Sequence, residues 1–293
     1  SGVRSNNLAN YKSMINKSDR YLVDVEYNKA VQVLDELIMD VDGKKEDAYI
    51  KMLNIYSNMG NIDGGIEKVE GYINDKYAGL NKNNEVLFKL GMTYLETKNY
   101  PMALKYFRMV NEKKIEDARY YKTLATTLSS MNIDYTEFQK ELIEFEEYNK
   151  SLTNNEKKLE NYNSLTNIYM SYKGSLDNAN DKIIDLTSTA IELLNRIDND
   201  TITLTYEAGF INKIAQAYHS KGINEKDKSV AKEYFEMAIE NYETLLDMDG
   251  RDREGTLIKI AEIYNDLGNS TRAIDQLDRT IAEYPNSLKA YVK

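Results

Sequence analysis

Cysteine and tryptophan are both missing from the 293 residues, proline appears twice, histidine once and glycine only 14 times. Without cysteine there are no disulfides and no thiolate metal sites. That suits either the cytoplasm or the outside of a bacterium. Two prolines and few glycines leave little to interrupt helices. A lone histidine, His219, cannot build a metal or catalytic cluster by itself. No apolar run approaches the roughly 18–20 residues that a membrane helix needs, and no signal-peptide pattern is present. Direct membrane insertion is therefore not expected of this chain. Clusters of basic residues are missing too. The net charge is −10, with Lys interleaved among Glu and Asp, whereas a phosphate-binding surface needs clustered Lys and Arg. Nucleic acid and anionic membrane are disfavoured as partners.

What is present is ordinary apolar content, 42%, high charge, 29%, and 24 tyrosines. The length suffices for a large core or a solenoid. Tyrosine packs its ring between helices and keeps its hydroxyl at the wet rim, so most of these tyrosines are expected in the core. Richness in Lys, Asn and Ile points to an AT-rich bacterial genome.

The clearest pattern lies in the stretch EGTLIKIAEIYNDLGNSTRAIDQLDRTIAEYPNS, from Glu254 to Ser287. Leu257, Ile260, Ala261 and Tyr264 fall at i, i+3, i+4 and i+7, one apolar helix face. Gly268 ends that helix, because glycine accepts the left-handed conformation a C-cap needs. Ala273, Ile274, Leu277 and Ile281 form a second apolar face, and Pro285, with no N–H to donate, ends it. Two helices and a tight turn fill 34 residues.

The same pattern recurs along the chain. From Tyr11, a weak first helix (Met14, Ser18, Tyr21) precedes a good second one (Tyr27, Ala30, Leu34, Leu37). From Glu46 come Tyr49, Met52, Leu53 and Tyr56, then Gly60, Gly65, Val69 and Tyr72. Gly65 lets its two helices approach closely. From Asn84 come Leu87, Leu90, Gly91 and Tyr94, then Pro101 near a helix start, where its missing N–H costs nothing, with Ala103, Phe107 and Val110. From Ala118 come Tyr121, Leu124, Ala125 and Leu128. Glu137 then breaks the pattern, while Phe138, Leu142 and Phe145 keep a stripe. A polar run, Asn149 to Lys158, loosens the spacing. The next helices carry Tyr162, Leu165 and Tyr169, a stop at Gly174, then Ile183, Leu186, Ala190 and Leu193. A polar link, Asp198 to Thr203, leads to Ile211, Ile214, Ala215 and Tyr218, then Gly222. The insertion NEKDKS precedes Ala231, Phe235 and Ala238. Ser1 to Asn10 carry no strong pattern. The seven starts, at 11, 46, 84, 118, 159, 208 and 254, are spaced by 35, 38, 34, 41, 49 and 46 residues.

Repetition at this period resembles the tetratricopeptide repeat (TPR) family. The family's positions 4, 7, 8, 11, 20, 24, 27 and 32 are met in the last full unit by Leu257, Ile260, Ala261, Tyr264, Ala273, Leu277, Thr280 and Pro285, with Thr280 the weak match. The resemblance implies an all-α fold, a right-handed superhelical α-solenoid of about seven helix-turn-helix units. The expected units are 11–45, 46–79, 84–117, 118–151, 159–200, 208–250 and 254–287 of a single solenoid over 1–293. Residues 288–293 begin a truncated next helix, so the chain is read as a fragment of a longer protein. Hairpins with two apolar faces cannot bury both alone, and stacking buries them in a continuous core.

In the family, first helices line a concave surface where a peptide or a partner's helix can lie. The groove-facing positions 2, 5, 6, 9, 12 and 13 give Arg119, Lys122, Thr126, Asn163, Asn167, Asn212, Lys213, Gln216 and His219. Positions 5 and 9 share one helix face. Side-chain amides donate and accept at once, so they can pair with a peptide backbone whatever its side chains. Lys122 can hold a carboxylate. Some family members use a Lys and Asn carboxylate clamp at these positions. Here those residues fall in different units, which departs from the clamp.

Catalytic constellations are missing. GNIDGG at Gly60–Gly65 is a helix turn without the lysine of a phosphate loop. DMDGRDRE at Asp247–Glu254 has its glycine fourth rather than sixth, so it is an acidic link and not a calcium loop. Glu144, Glu146 and Glu147 are expected on a solvated helix face, unsuited to acid–base work. No cofactor is expected. The chain reads as a non-catalytic protein- or peptide-binding scaffold. Two alternatives share this fold. One is the regulatory region of a larger enzyme such as a bacterial transmembrane Ser/Thr kinase, whose TPR region KSDRYLVDVEYNKAVQVLDEL resembles. The other is a peptide-pheromone regulator, of a kind that grips peptides through Asn. Residues upstream of Ser1 discriminate among these. The first alternative places the chain in the cytoplasmic or extracytoplasmic part of a membrane protein.

Overall fold

A computed structural model describes residues 2–40, 46–74, 83–110, 117–248 and 252–292. The expected unit ends at 45, 79 and 250, and the middle of the Asp247–Glu254 link, lie outside them. The described residues form fifteen α-helices and no strand. They are α1 (Gly2–Val23), α2 (Tyr27–Asp40), α3 (Glu46–Asn58), α4 (Ile62–Ile73), α5 (Asn84–Glu96), α6 (Tyr100–Met109), α7 (Arg119–Ser130), α8 (Thr136–Ser151), α9 (Asn155–Ser171), α10 (Ala179–Arg196), α11 (Asp200–Asn224), α12 (Lys228–Leu246), α13 (Arg253–Asp266), α14 (Ser270–Glu283) and α15 (Leu288–Val292). The fold is an all-α solenoid of helical hairpins.

Local chemistry makes five of the hairpin turns alike. Val25, Gly60, Lys98, Asn132 and Gly268 all have positive φ, between 54° and 78°. The first four are spaced by 35, 38 and 34 residues. The residue after each donates its N–H to a carbonyl five places back: Glu26 to Tyr21, Asn61 to Tyr56, Asn99 to Tyr94, Ile133 to Leu128 and Asn269 to Tyr264. This six-to-one bond closes a helix whose last carbonyls would otherwise lack donors. Asn61, Asn99 and Asn269 then start the second helix, each side-chain oxygen accepting an N–H from the first turn, the arrangement an N-cap favours.

Several expectations change. Helix α1 starts at Gly2, because nothing in the first ten residues stops a helix once it has nucleated. The polar run 149–158 is the end of α8, a turn at 152–154 and the start of α9, capped by Asn154. Helix α9 ends at Ser171, ahead of Gly174. The link 198–203 is helical from Asp200, since the Asn199 side chain caps the Ile202 N–H, 3.2 Å away. Gly222 does not end α11. A Cβ there would stand 2.6 Å from the Phe235 ring, so the glycine admits a buried aromatic side chain.

The chain divides into two compact units, residues 1–115 with 123–133, and residues 116–122 with 134–293. The first has Leu34, Leu37, Met52, Leu87 and Phe107 fully enclosed. In the second, Phe138, Leu165, Tyr169, Phe210, Ala215, Leu257 and Ile260 are enclosed. Nine described tyrosines are buried, thirteen are half-buried, and Tyr291 alone is exposed, at 61%. Fewer are buried than the expectation that most lie in the core, and the larger group is only partly enclosed.

Candidate functional site

The first helices of the second unit's hairpins carry the site. Helix α11 presents its apolar residues Ile211, Ile214 and Ala215 to the core. That orientation leaves Asn212 and Gln216 half-buried on another face. Being four apart, they stack one turn over the other, about 6 Å along the axis. Both line a cavity of about 850 Å³ between α11, α13 and the start of α15. Tyr242, Leu245 and Ile258 supply its apolar wall, and Asp252, Lys259, Glu262 and Lys289 its charge. Neither amide has a hydrogen-bond partner among the described residues, and neither is closed off from solvent. Burial, and then the Glu262 carboxylate, pushes the Tyr242 hydroxyl's pKa up, so it stays protonated. Leu288 at the cavity's edge is 79% exposed.

The remaining anticipated groove residues are distributed differently. Lys213 was expected on an open face and is instead 7% exposed. Its Nζ donates to the Asn163 backbone oxygen at 3.2 Å, to Asn163 Oδ1 at 2.7 Å and to Thr166 Oγ1 at 2.9 Å. Those are its three protons, and no carboxylate is among the acceptors. Burial pulls its pKa down to about 8. His219 faces Asp266, with 2.8 Å between Nε2 and Oδ2, and packs edge-on to Phe235. Arg119 is exposed and pairs with Asp117 at 2.7 Å. Lys122, Thr126 and Asn167 are exposed, and Thr126 belongs to the first unit. None of Arg119, Lys122 or Thr126 lines the cavity. The structure thus brings Asn163 to Lys213, and Asn212 and Gln216 to one cavity.

Gly255, Ile258, Lys259 and Glu262 also line it. They occupy positions 2, 5, 6 and 9 of the last full hairpin. The positional rule that picked out Asn212 would have found them had it been read one hairpin further.

Glu146 corrects another expectation. Glu144 and Glu147 are exposed, but Glu146 is buried at 4%. It accepts from the Tyr169 hydroxyl at 2.6 Å and from Lys182 at 2.9 Å. The heptad-like stripe of α8 turns Glu146 inward beside Phe145 and Leu142. Among the described residues, no group of three or more His, Asp or Glu stands close enough to hold a metal.

The tetratricopeptide repeat family model matches residues 85–113 and 256–287. These segments cover most of the α5–α6 hairpin and of the α13–α14 hairpin, each with an Asn-capped second helix. Those two segments are matched as tetratricopeptide repeats. Such repeats are generally non-catalytic interaction scaffolds. No curated protein matches its sequence. Among solved structures, it is similar to YrrB, described as a TPR protein with an unusual peptide-binding site. Identity is 11%, over 76% of this chain and 95% of that one, with a TM-score of 0.45. It is also similar to MamA, at 15% identity over 72% and 98% with a TM-score of 0.46. A third is the apo quorum sensor NprR from B. thuringiensis, at 14% identity over 96% and 79% with a TM-score of 0.43.

Proposed function

We propose that this chain is a non-catalytic scaffold that holds an extended peptide segment in the cavity between α11 and α13. The observation that supports the reading is the pair of unpartnered amides, Asn212 and Gln216, on the cavity wall. Their separation of about 6 Å along the helix is close to the roughly 6.6 Å between alternate residues of an extended strand. Each amide can therefore meet a backbone group of every second ligand residue. The apolar wall of Tyr242, Leu245 and Ile258 takes a side chain between them. Asn163 and Asn167 stand at the same repeat positions, 5 and 9, on α9.

The test is an arrayed peptide screen with wild-type protein and the Asn212→Ala/Gln216→Ala variant. Two lost hydrogen bonds correspond to about 1–3 kcal/mol, so binders should weaken by about five- to a hundredfold. Binders that survive the double substitution unchanged would place the contact elsewhere. The absence of any binder would reject the peptide reading.

A further inference from the structure

Asn163 has an amide whose orientation is decided by a neighbour. Its side chain is half-buried on α9. Lysine can only donate, so the atom facing Lys213 Nζ at 2.7 Å must be Oδ1. Lys213 cannot drift away, because its other protons go to the Asn163 backbone oxygen and Thr166 Oγ1, and Thr166 is itself buried. Thr166 is held in turn, its hydroxyl reaching the Tyr162 and Asn163 carbonyls. The Asn163 Nδ2 protons meet no acceptor among the described residues, and that atom is open to solvent. An asparagine free to flip offers a donor or an acceptor equally. This one offers only a donor.

We infer that Lys213 is a positioning residue that locks Asn163 as a fixed hydrogen-bond donor, so that the group taken at this point of the surface is an acceptor, a carbonyl or carboxylate oxygen. The inference builds on the peptide-binding reading, since a peptide backbone carbonyl is such a group. It also assigns a difference among these amides. Asn212 and Gln216 are unconstrained and take either sense of a backbone amide, whereas Asn163 sets polarity. Lys213 itself, with all three protons engaged, contacts no ligand.

The first arm of the test needs no peptide. The side-chain amide resonances of Asn163 are followed in wild type, Lys213→Arg and Lys213→Met, and the backbone resonances of α9 in Asn163→Asp. Acetate and N,N-dimethylacetamide, acceptors without an N–H, serve as probes, with guanidinium as the opposite, donor-only probe. Wild type is expected to show one pair of Nδ2 resonances that shifts with the acceptors and not with guanidinium. Lys213→Arg retains this response. In Lys213→Met the amide samples both orientations, its resonances broaden or double, and the acceptor-induced shift falls by about threefold or more, as for a lost charge-assisted bond. Resonances and shifts unaffected by Lys213→Met would overturn the inference. Should that variant fail to fold, Asn163→Asp decides. One carboxylate oxygen then faces Lys213 and the other faces solvent. The backbone resonances of position 163 and its α9 neighbours should respond to guanidinium rather than to acetate. A persistent acetate response would overturn the inference. The second arm replaces single carbonyls by methylene in the tightest peptide of the array. One replacement should weaken wild-type binding by about tenfold and leave Asn163→Ala binding unchanged. No such position would overturn the peptide assignment of the acceptor. An array without binders rejects the peptide reading alone, and the resonances still decide the orientation.

Discussion

The Tyr169 hydroxyl donates to the buried Glu146 carboxylate across 2.6 Å, from α9 to α8. Lys182 on α10 reaches the second oxygen at 2.9 Å. The same device occurs in the first unit. Asp35 on α2 accepts from Tyr72 at 2.8 Å and from Lys68 at 2.6 Å, and Glu70 on α4 accepts from Tyr94 and Tyr106. In each case an acid on a second helix receives tyrosine or lysine from the following hairpin. Apolar stripes hold hairpins together but tolerate sliding, whereas a charged acceptor with directed donors fixes one register. Glu146→Ala should cost about 2–4 kcal/mol, because a hydroxyl and an ammonium lose their acceptor in a buried site. Tyr169→Phe should cost about 1 kcal/mol. Urea denaturation of both variants gives the comparison, and equal losses would refute a charge-centred role for Glu146.

Stability should vary with pH in a way traceable to Lys213 and the tyrosines. The Lys213 value of about 8 in the folded chain lies below the usual 10.5. The unfolded chain therefore holds more protons between about 8 and 10.5, and stability rises with pH through that window. The gain is at most about 3 kcal/mol. Burial, reinforced by carboxylates, raises Tyr72, Tyr94, Tyr106 and Tyr169 above their ordinary value of 10.0. Their contribution is complete below pH 10 and is lost as pH climbs through the raised values. Melting temperature should thus peak near pH 10. Lys213→Met removes the rise from pH 8 and should match or exceed wild-type stability at pH 7, because a buried charge is replaced by a side chain of similar volume. A Lys213→Met profile that still climbs between pH 8 and 10 would show that other groups cause it.

Val25 carries a β-branched side chain at φ 59°, where Gly60 and Gly268 stand in equivalent turns. Left-handed backbone costs a residue with a Cβ about 1–2 kcal/mol. Part of that is recovered on substitution by glycine, less the extra entropy of the unfolded chain. Val25→Gly should therefore raise the stability of the first unit by about 0.5–1 kcal/mol. Since Val25 is 63% exposed, little packing is sacrificed. A lowered urea midpoint would mean that the valine makes a contact worth more than the strain.

Gly222 poses the opposite case. Alanine would favour the helix by about 1 kcal/mol on propensity alone. Its Cβ would meet the Phe235 ring at 2.6 Å, however, and Phe235 is 6% exposed and cannot swing out. Overpacking costs about 1–3 kcal/mol, so Gly222→Ala should destabilise. The companion Phe235→Leu should rescue it in a double-mutant cycle. Additive losses would mean that the two positions do not collide.

Position along the repeat was legible from the chain itself. The i, i+3, i+4 spacing marks the inner faces, and glycine marks the left-handed stop at Gly60 and Gly268. These are short-range requirements of helix geometry, satisfied within a few residues of one another. They identified Asn212 and Gln216 as face residues and Gly268 as a stop. They could not separate Asn212 from Lys213, adjacent residues read as one exposed row. Which of them is enclosed depends on α9, whose Asn163 lies 50 residues away and supplies the acceptors that make burial of an ammonium tolerable. Glu146 was misplaced for the same reason, since its donors Tyr169 and Lys182 are 23 and 36 residues distant. Sequence by itself determined the repeating apolar faces and the turns at Gly60 and Gly268, because those follow from local periodicity and backbone sterics. Only tertiary structure decided which polar side chains are spent on holding helices together and which remain open for a ligand, because hydrogen-bond partners and desolvation come from hairpins brought into contact by folding.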